Sequence, residues 1–213
     1  MEYMIDVRNV TKKFKNVVVL NNVNIKVKKG TICGLIGKNA SGKTVLMKVI
    51  CGFIIPDAGD VFVANKHIGK DCDFPEAAGV IIENPGFAQY MSGIKNLRSL
   101  ASIRGKISNE KIKEIMAVVG LDPNDKKWVS KYSLGMRQRL GIAQAIMEDQ
   151  NILILDEPMN GLDNQGVEEM RELFIKLKNE GKTILLASHS KEDIEVLCDE
   201  VYEMDHGVLE TVS

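Results

Sequence analysis

Residues 31–52 read TICGLIGKNASGKTVLMKVICG, and no other stretch limits the possible folds as strongly. A short apolar run, TICGLI, leads into Gly37, Lys38, Asn39, Ala40, Ser41, Gly42, Lys43 and Thr44, the pattern GxxxxGK[ST]. A segment of helical period, beginning with Lys43, Thr44 and Val45, covers 43–52. Strand, glycine loop and helix in that order are what the pattern needs to bind phosphate. The glycines let backbone N–H groups turn inward around phosphate oxygens. The helix start adds partial positive charge, and Lys43 adds a full one. The Thr44 hydroxyl is a hard oxygen ligand suited to Mg²⁺. Residues 37–45 are therefore expected to hold the phosphates of a nucleotide.

The rest of the chain fits a sheet of that kind. Residues 3–7, 17–20, 23–27 and 31–36 are short β-type runs separated by Lys, Asn and Gly. DAGD (57–60) is expected to be a turn, VFVA after it a strand, and GVIIE (79–83) a buried strand ending on a carboxylate. From Pro85 to about Met147 helical periodicity dominates: Ile112, Ile115, Met116 and Val119 share one face, as do Met136, Leu140, Ala143 and Met147. Alternation then returns with ILIL (152–155), a helix over 164–179, TILLAS (183–188), a helix over 191–198 and a closing VYEMDHGVLE. Continuous apolar strands alternating with helices predict an α/β fold whose parallel sheet is covered on both faces. The expected organisation is one domain over 1–213, with a sheet core from 1–84 and 148–213 and a helical insertion at 85–147.

Composition narrows the function. The 213 residues carry a formal net charge of −1 and are 45% apolar, which suits one domain with a full core. That balance lacks the basic excess of a nucleic-acid grip, so no nucleic-acid partner is expected. The basic clusters TKKFK (11–15) and KVKKG (26–30) read as solvated faces. Cys33, Cys51, Cys72 and Cys198 form no CxxC pair and are expected to be reduced thiols, Cys33 and Cys51 as core fillers. The N-terminus has no signal-peptide pattern, and the longest apolar segment, 45–55, contains Lys48 and is too short to span a bilayer.

The strand at 151–158, NILILDEP, ends in two carboxylates. In open α/β sheets ligands sit beyond the C-terminal strand ends. Asp156 suits a magnesium contact, and Glu157 is placed to orient and deprotonate an attacking water. His189 ends TILLASH, a strand pointing the same way, and there it can donate to a γ-phosphate oxygen; His67 and His206 read as structural. Lys43, Glu157 and His189 are thus the catalytic candidates, and Thr44, Asp156 and Glu83 the metal candidates.

Kinases and GTPases share much of this, but the guanine-reading NKxD is absent: NKHI at 65–68 lacks its aspartate. YSLGMRQRLGIAQAIMEDQNILILDEP resembles the signature segment and following strand of ATP-binding-cassette (ABC) ATPases. MNGLD (159–163), with Gly161, Leu162 and Asp163, resembles that family's D-loop, and His189 its switch histidine. Phe14 lies where the family stacks an aromatic on adenine. The resemblance implies a RecA-like P-loop NTPase core, a small N-terminal antiparallel β subdomain and an inserted α-helical subdomain. It also implies ATP and Mg²⁺, and a second ATPase subunit bound head-to-tail. Ser133, Leu134, Gly135 and Met136 would then address the partner's γ-phosphate, since Ser133 N-caps a helix whose free N–H groups attract anions. The usual LSGGQ reads YSLGM here (132–136), with Leu134 for the first Gly and Met136 for the Gln. Glu83 stands where the family carries glutamine and is expected still to reach the metal shell.

IIENPGFAQYMSGIKNL (81–97) together with YSLGMRQRLGIA resembles the bacterial subgroup that exports bacitracin-like and lantibiotic peptides. That implies an integral membrane permease partner, a place on the cytoplasmic face of the plasma membrane, and a role in antibiotic resistance. The permease would dock near 84–98, where Phe87, Tyr90 and Met91 are either contacts or subdomain core. The alternative is a soluble ABC ATPase acting on ribosome or nucleic acid, although the chain has neither the basic excess nor the long insertions of such proteins. A regulatory module without turnover is disfavoured because Glu157 and His189 are both present.

Overall fold

The computed structural model describes residues 2–76, 78–83 and 85–212. The chain opens on a long hairpin, β1 (Tyr3–Phe14) and β2 (Val17–Lys28), joined through Lys15 and Asn16. β4 (Ala58–Val63) and β5 (Lys66–His67) complete an antiparallel sheet in the order β2-β1-β4-β5. The separate short runs expected at the N-terminus merge into these two 12-residue strands. Asn9 (φ 51°) and Asn22 (φ 52°) are the reason: asparagine tolerates the left-handed region, so the polar interruptions become bulges rather than ends of strands.

DAGD is likewise a bulged strand start and not a free turn. Asp57 accepts from the Lys13 N–H (2.6 Å) and the Lys12 ammonium (2.9 Å) of the neighbouring strand. Gly59 then takes φ 88°, and a Cβ there would lie 2.5 Å from the carbonyl oxygens of Arg8 and Asn9. Only glycine fits so close to the partner backbone.

The second sheet has six strands, ordered β10-β9-β3-β8-β7-β6. β3 (Ile32–Ile36), β6 (Ala78–Ile81), β7 (Ile152–Asp156), β8 (Thr183–Ala187) and β9 (Glu200–Asp205) run parallel, and β10 (Val208–Thr211) folds back antiparallel on β9. β7 and β8 are buried along their whole length. Their alternate residues feed two cores. Leu153, Leu155, Ile184 and Leu186 join one, with the helices after residue 85; Ile152, Ile154, Leu185 and Ala187 join the other, with the antiparallel sheet. The period of two that a strand imposes is thus used on both faces, which is why these strands read as unbroken apolar runs.

α1 (Lys43–Ile50) packs Leu46, Met47, Val49 and Ile50 into the second core. α2 (Gly93–Arg104), α3 (Asn109–Val118), a 3-10 turn (Val129–Lys131) and α4 (Leu134–Ile146) fill the stretch between β6 and β7. α5 (Asn164–Asn179) and α6 (Lys191–Leu197) complete the fold. All four cysteines are unpaired; burial pushes the Cys51 thiol up to about 12 and Cys33 higher still, which keeps both inert. Among the described residues no helix is long and apolar enough to cross a membrane.

Candidate functional site

Strand order brings the chemistry together. β3, β8 and β7 are neighbours running the same way, so the segments after Ile36, Asp156 and Ala187 leave the sheet along one edge. There the chain forms an open groove of about 580 Å³, lined among others by Asn39–Val45, Glu83, Asp156 and Glu157.

The phosphate loop is tightly constrained. Gly37 sits at φ 142°, and a Cβ would lie 2.2 Å from the Met204 carbonyl oxygen, a close approach that admits no side chain. The Ser41 N–H donates to the Lys38 carbonyl (3.2 Å), and the Ser41 carbonyl accepts from the Gly207 N–H (3.0 Å), so the β9–β10 turn braces the loop from behind. The Ser41 hydroxyl is buried and has no hydrogen-bond partner among the described residues. Lys43 is buried at 7% exposure, and its ammonium donates to the carbonyls of Gly37 (2.6 Å) and Lys38 (3.1 Å). Among the described residues it has no carboxylate partner. A buried ammonium held only by neutral carbonyls, beside an orphan hydroxyl and a helix N-terminus, is a seat for an anion.

Next to it the Thr44 hydroxyl donates to Asp156 Oδ2 at 2.7 Å. No group of three or more His, Cys, Asp or Glu suited to a metal occurs among the described residues. Mg²⁺ does not require one, because it is commonly held by one or two carboxylates, water and substrate phosphates. A hard hydroxyl and a carboxylate facing the anion seat fit that donor set.

Glu157 has φ 50°, in the left-handed region, an uncommon backbone for a non-glycine residue. Neighbouring elements hold it: its N–H donates to the Ala187 carbonyl (3.0 Å), and its carbonyl accepts from Gln138 Nε2 of α4 (3.0 Å). Its carboxylate Oε2 lies 2.8 Å from His189 Nδ1. Two residues 32 apart in sequence therefore meet at the strand ends.

Glu83 lines the groove, but its carboxylate pairs with Lys48 Nζ of α1 at 2.6 Å rather than with Thr44 or Asp156. Phe14 is 44% exposed with the Lys12 ammonium 5.5 Å above its ring, and Val19 of the same hairpin takes the groove wall. Ser133 caps α4 as expected, accepting from the Met136 N–H at 3.1 Å. Leu134 reaches the groove and closes on Gly161, and Gly135 faces the Gly161 carbonyl. Asp163 caps α5 by accepting from the Gly166 N–H (2.9 Å), and Leu162 packs against the core. Met136 is half-buried against the same core. Of the partner-facing candidates, Phe87 is buried as subdomain core, whereas Tyr90 is exposed and meets Trp128 edge-on at 5.7 Å. Asn84 of that segment lies outside the described residues.

Sequence reasoning missed Val19, Gln138, Asn160 and Lys48. Gln138 and Lys48 act through partners supplied by other elements, and Val19 and Asn160 line the groove only once the fold brings them there.

The fold and this site define a nucleotide-binding ATPase domain of the phosphate-loop class. Residues 20–160 match the family described as ABC transporter. The chain is 44% identical over 208 residues to YybJ of Bacillus subtilis (strain 168), an uncharacterized ABC transporter ATP-binding protein, covering 98% of this chain and 95% of that one. It is 42% identical over 211 residues to the bacitracin transport ATP-binding protein BcrA of Enterococcus faecalis, covering 98% of this chain and 68% of the relative. The dimeric structure of MJ0796, described as a bacterial ABC transporter cassette, superposes with a TM-score of 0.88 at 23% identity, covering 99% of both chains. The chain belongs to the ABC transporter family, as an ATP-binding subunit.

Proposed function

We propose that this chain hydrolyses Mg²⁺·ATP between two cassettes to drive a membrane permease, exporting an antimicrobial peptide or drug. The observation that carries the reading is the meeting of three strand ends: the Thr44–Asp156 contact at 2.7 Å and the Glu157–His189 contact at 2.8 Å flank the Lys43 anion seat.

Lys43 and the N–H groups of residues 38–45 bind the phosphates, with Lys43 exchanging its two loop carbonyls for phosphate oxygens. Val19 offers the base an apolar wall, and Phe14 a ring at the end of β1. Thr44 and Asp156 would hold Mg²⁺, which when bound neutralises charge on the transferring phosphoryl group. Glu157 Oε2 accepts the proton of the attacking water, and its braced backbone holds that oxygen in place. His189 keeps Glu157 oriented and donates to a γ-phosphate oxygen, so that triphosphate and diphosphate are distinguished. Ser133 and Gly135, at the N-terminus of α4, serve the partner's nucleotide. Gly161 and Leu162, which lie against Leu134 and Gly135 in this chain, and Asp163, which caps α5, form the rest of that edge.

Export of a peptide antibiotic is supported by the 42% identity to a bacitracin transport protein. Docking to a permease at the cytoplasmic face of the membrane is supported by the exposed Tyr90–Trp128 pair beside Lys95, Arg98, Lys113 and Lys126. Glu157→Gln tests the reading. Removing a general base costs about 10²–10⁴-fold in kcat, so the variant should bind ATP, turn over at that reduced rate and elute as a dimer on gel filtration with ATP. A variant that stays monomeric with ATP bound contradicts the proposal.

A further inference from the structure

Among the described residues His189 makes one side-chain hydrogen bond, to Glu157, and its own side chain is 68% exposed. Its position must therefore come from the backbone on either side. Both neighbours are tied to one residue, Asp193: Ser188 to its carboxylate and Ser190 to its backbone N–H. Ser188, 3% exposed, donates from Oγ to Asp193 Oδ2 at 3.1 Å, and the same hydroxyl accepts from the Ser190 N–H at 3.1 Å. Ser190 Oγ accepts in return from the Asp193 N–H at 3.3 Å.

The other oxygen of Asp193 is gripped from a different element. Arg171, on the second turn of α5, donates to Asp193 Oδ1 through Nη2 (2.6 Å) and Nε (3.0 Å). Both side chains are buried, at 5% and 7% exposure. Arg171 Nη1 is engaged by Glu168 (2.6 Å) and Glu192 (3.1 Å) at the rim. A buried ion pair adds little net stability over apolar residues of the same size, but it permits very few arrangements of the groups it joins. α5 starts directly after Gly161–Asp163, so the chain of bonds runs from that loop, through Arg171 and Asp193, to both sides of the histidine.

We propose that Arg171 and Asp193 are positioning residues for His189, acting through Ser188 and Ser190 and not by touching nucleotide. The inference rests on the role given to His189 above. The bracket holds the imidazole at the Glu157 carboxylate, so that the pair moves as one piece with the start of α5.

The experiment compares Ser188→Ala and Asp193→Asn in the wild-type and His189→Ala backgrounds, using the full chain at saturating Mg²⁺·ATP. In the wild-type background Asp193→Asn should lower kcat by about 10- to 100-fold, the scale of a displaced reacting group. ATP affinity should fall no further than it does in His189→Ala, ADP affinity should be unchanged, and Ser188→Ala should act in the same direction to a smaller extent. In the His189→Ala background neither change should lower kcat further, while the loss in melting temperature stays the same in both backgrounds. A second readout needs no turnover: with ¹³C-labelled histidine, the His189 Cε1 resonance, identified against His189→Ala, should move in both variants while those of His67 and His206 stay. The proposal is overturned if the variants slow turnover equally without His189, or if kcat and the His189 resonance are unmoved. A His189→Ala protein as fast as wild type would instead refute the histidine's catalytic role; the resonance still decides whether Asp193 positions it. Should Asp193→Asn fail to fold, Ser188→Ala, a single hydroxyl removed, carries the same comparison.

Discussion

Gly79 of β6 lies directly against α4, and its replacement by alanine has a calculable consequence. A Cβ built there would lie 1.9 Å from the Ala145 carbonyl oxygen and 2.9 Å from a Leu153 methyl, whereas real Cβ contacts stay beyond 3.0 Å. Relief requires α4 to retreat by roughly 1.1 Å, the difference between 3.0 and 1.9 Å. Gln138, two turns earlier on the same helix, would then stretch its 3.0 Å bond to the Glu157 carbonyl past hydrogen-bonding range. Overpacking of this kind costs about 1–3 kcal/mol, and the lost bond adds about 1 kcal/mol. The sum, about 2–4 kcal/mol, is a large share of the 5–15 kcal/mol typical of a whole domain. Urea denaturation should report it as a lower midpoint with an unchanged slope. ATP affinity should survive because the phosphate loop lies on β3 and α1, but kcat should drop as the Glu157 backbone, at φ 50°, loses a tether. Gly86→Ala, where a Cβ meets nothing within 4 Å, is the matched control and should be neutral. A Gly79→Ala protein within about 0.5 kcal/mol of wild type would refute the close packing of α4 on β6 and the transmission argued from it.

Two further outcomes follow from the same geometry. Lys48→Met should lower the Mg²⁺ concentration needed for half-maximal binding of a fluorescent ATP analogue by less than about fivefold, the worth of an exposed pair; the effect should vanish in Glu83→Gln, and an equal effect in both backgrounds would mean that Lys48 does not act on Glu83. The carboxylates of Asp57, Glu76, Glu169 and Glu192 are held below their ordinary range by hydrogen bonds from Lys12, Lys66, Arg139 and Arg171. Depressed folded values mean that this stability is complete above about pH 4.5 and is lost as pH falls through the lower folded values. Urea midpoints should therefore fall progressively below that pH, and a midpoint flat down to pH 2 would show that these pairs contribute nothing.

The sheet was legible because burial on both faces leaves no room for polar residues: ILIL and TILLA could be little else. The phosphate loop was legible because φ 142° at Gly37 and the backbone pressed against it exclude any other residue. Asp156, Glu157 and His189 followed from one topological rule about strand ends. What escaped was pairwise and distant. Asn9 and Asn22 look like strand breakers until the partner strand that tolerates a bulge is known. DAGD looks like a turn until Asp57 finds the amide of Lys13. Glu83 invited a metal, and nothing nearby in sequence announced that Lys48, 35 residues away, would pair with its carboxylate. Arg171 sits in an ordinary amphipathic helix, and only the fold shows that its guanidinium is buried on Asp193.

The most direct test is the turnover rate per chain as protein concentration is varied, at saturating Mg²⁺·ATP, from dilute monomer upward. If the anion seat around Lys43 and the capped start of α4 are half-sites, as proposed, the rate per chain should rise with concentration toward a plateau, and Ser133→Ala should lower that plateau. A rate per chain that stays constant down to dilutions where light scattering finds only monomer would mean that one chain holds the whole hydrolytic centre.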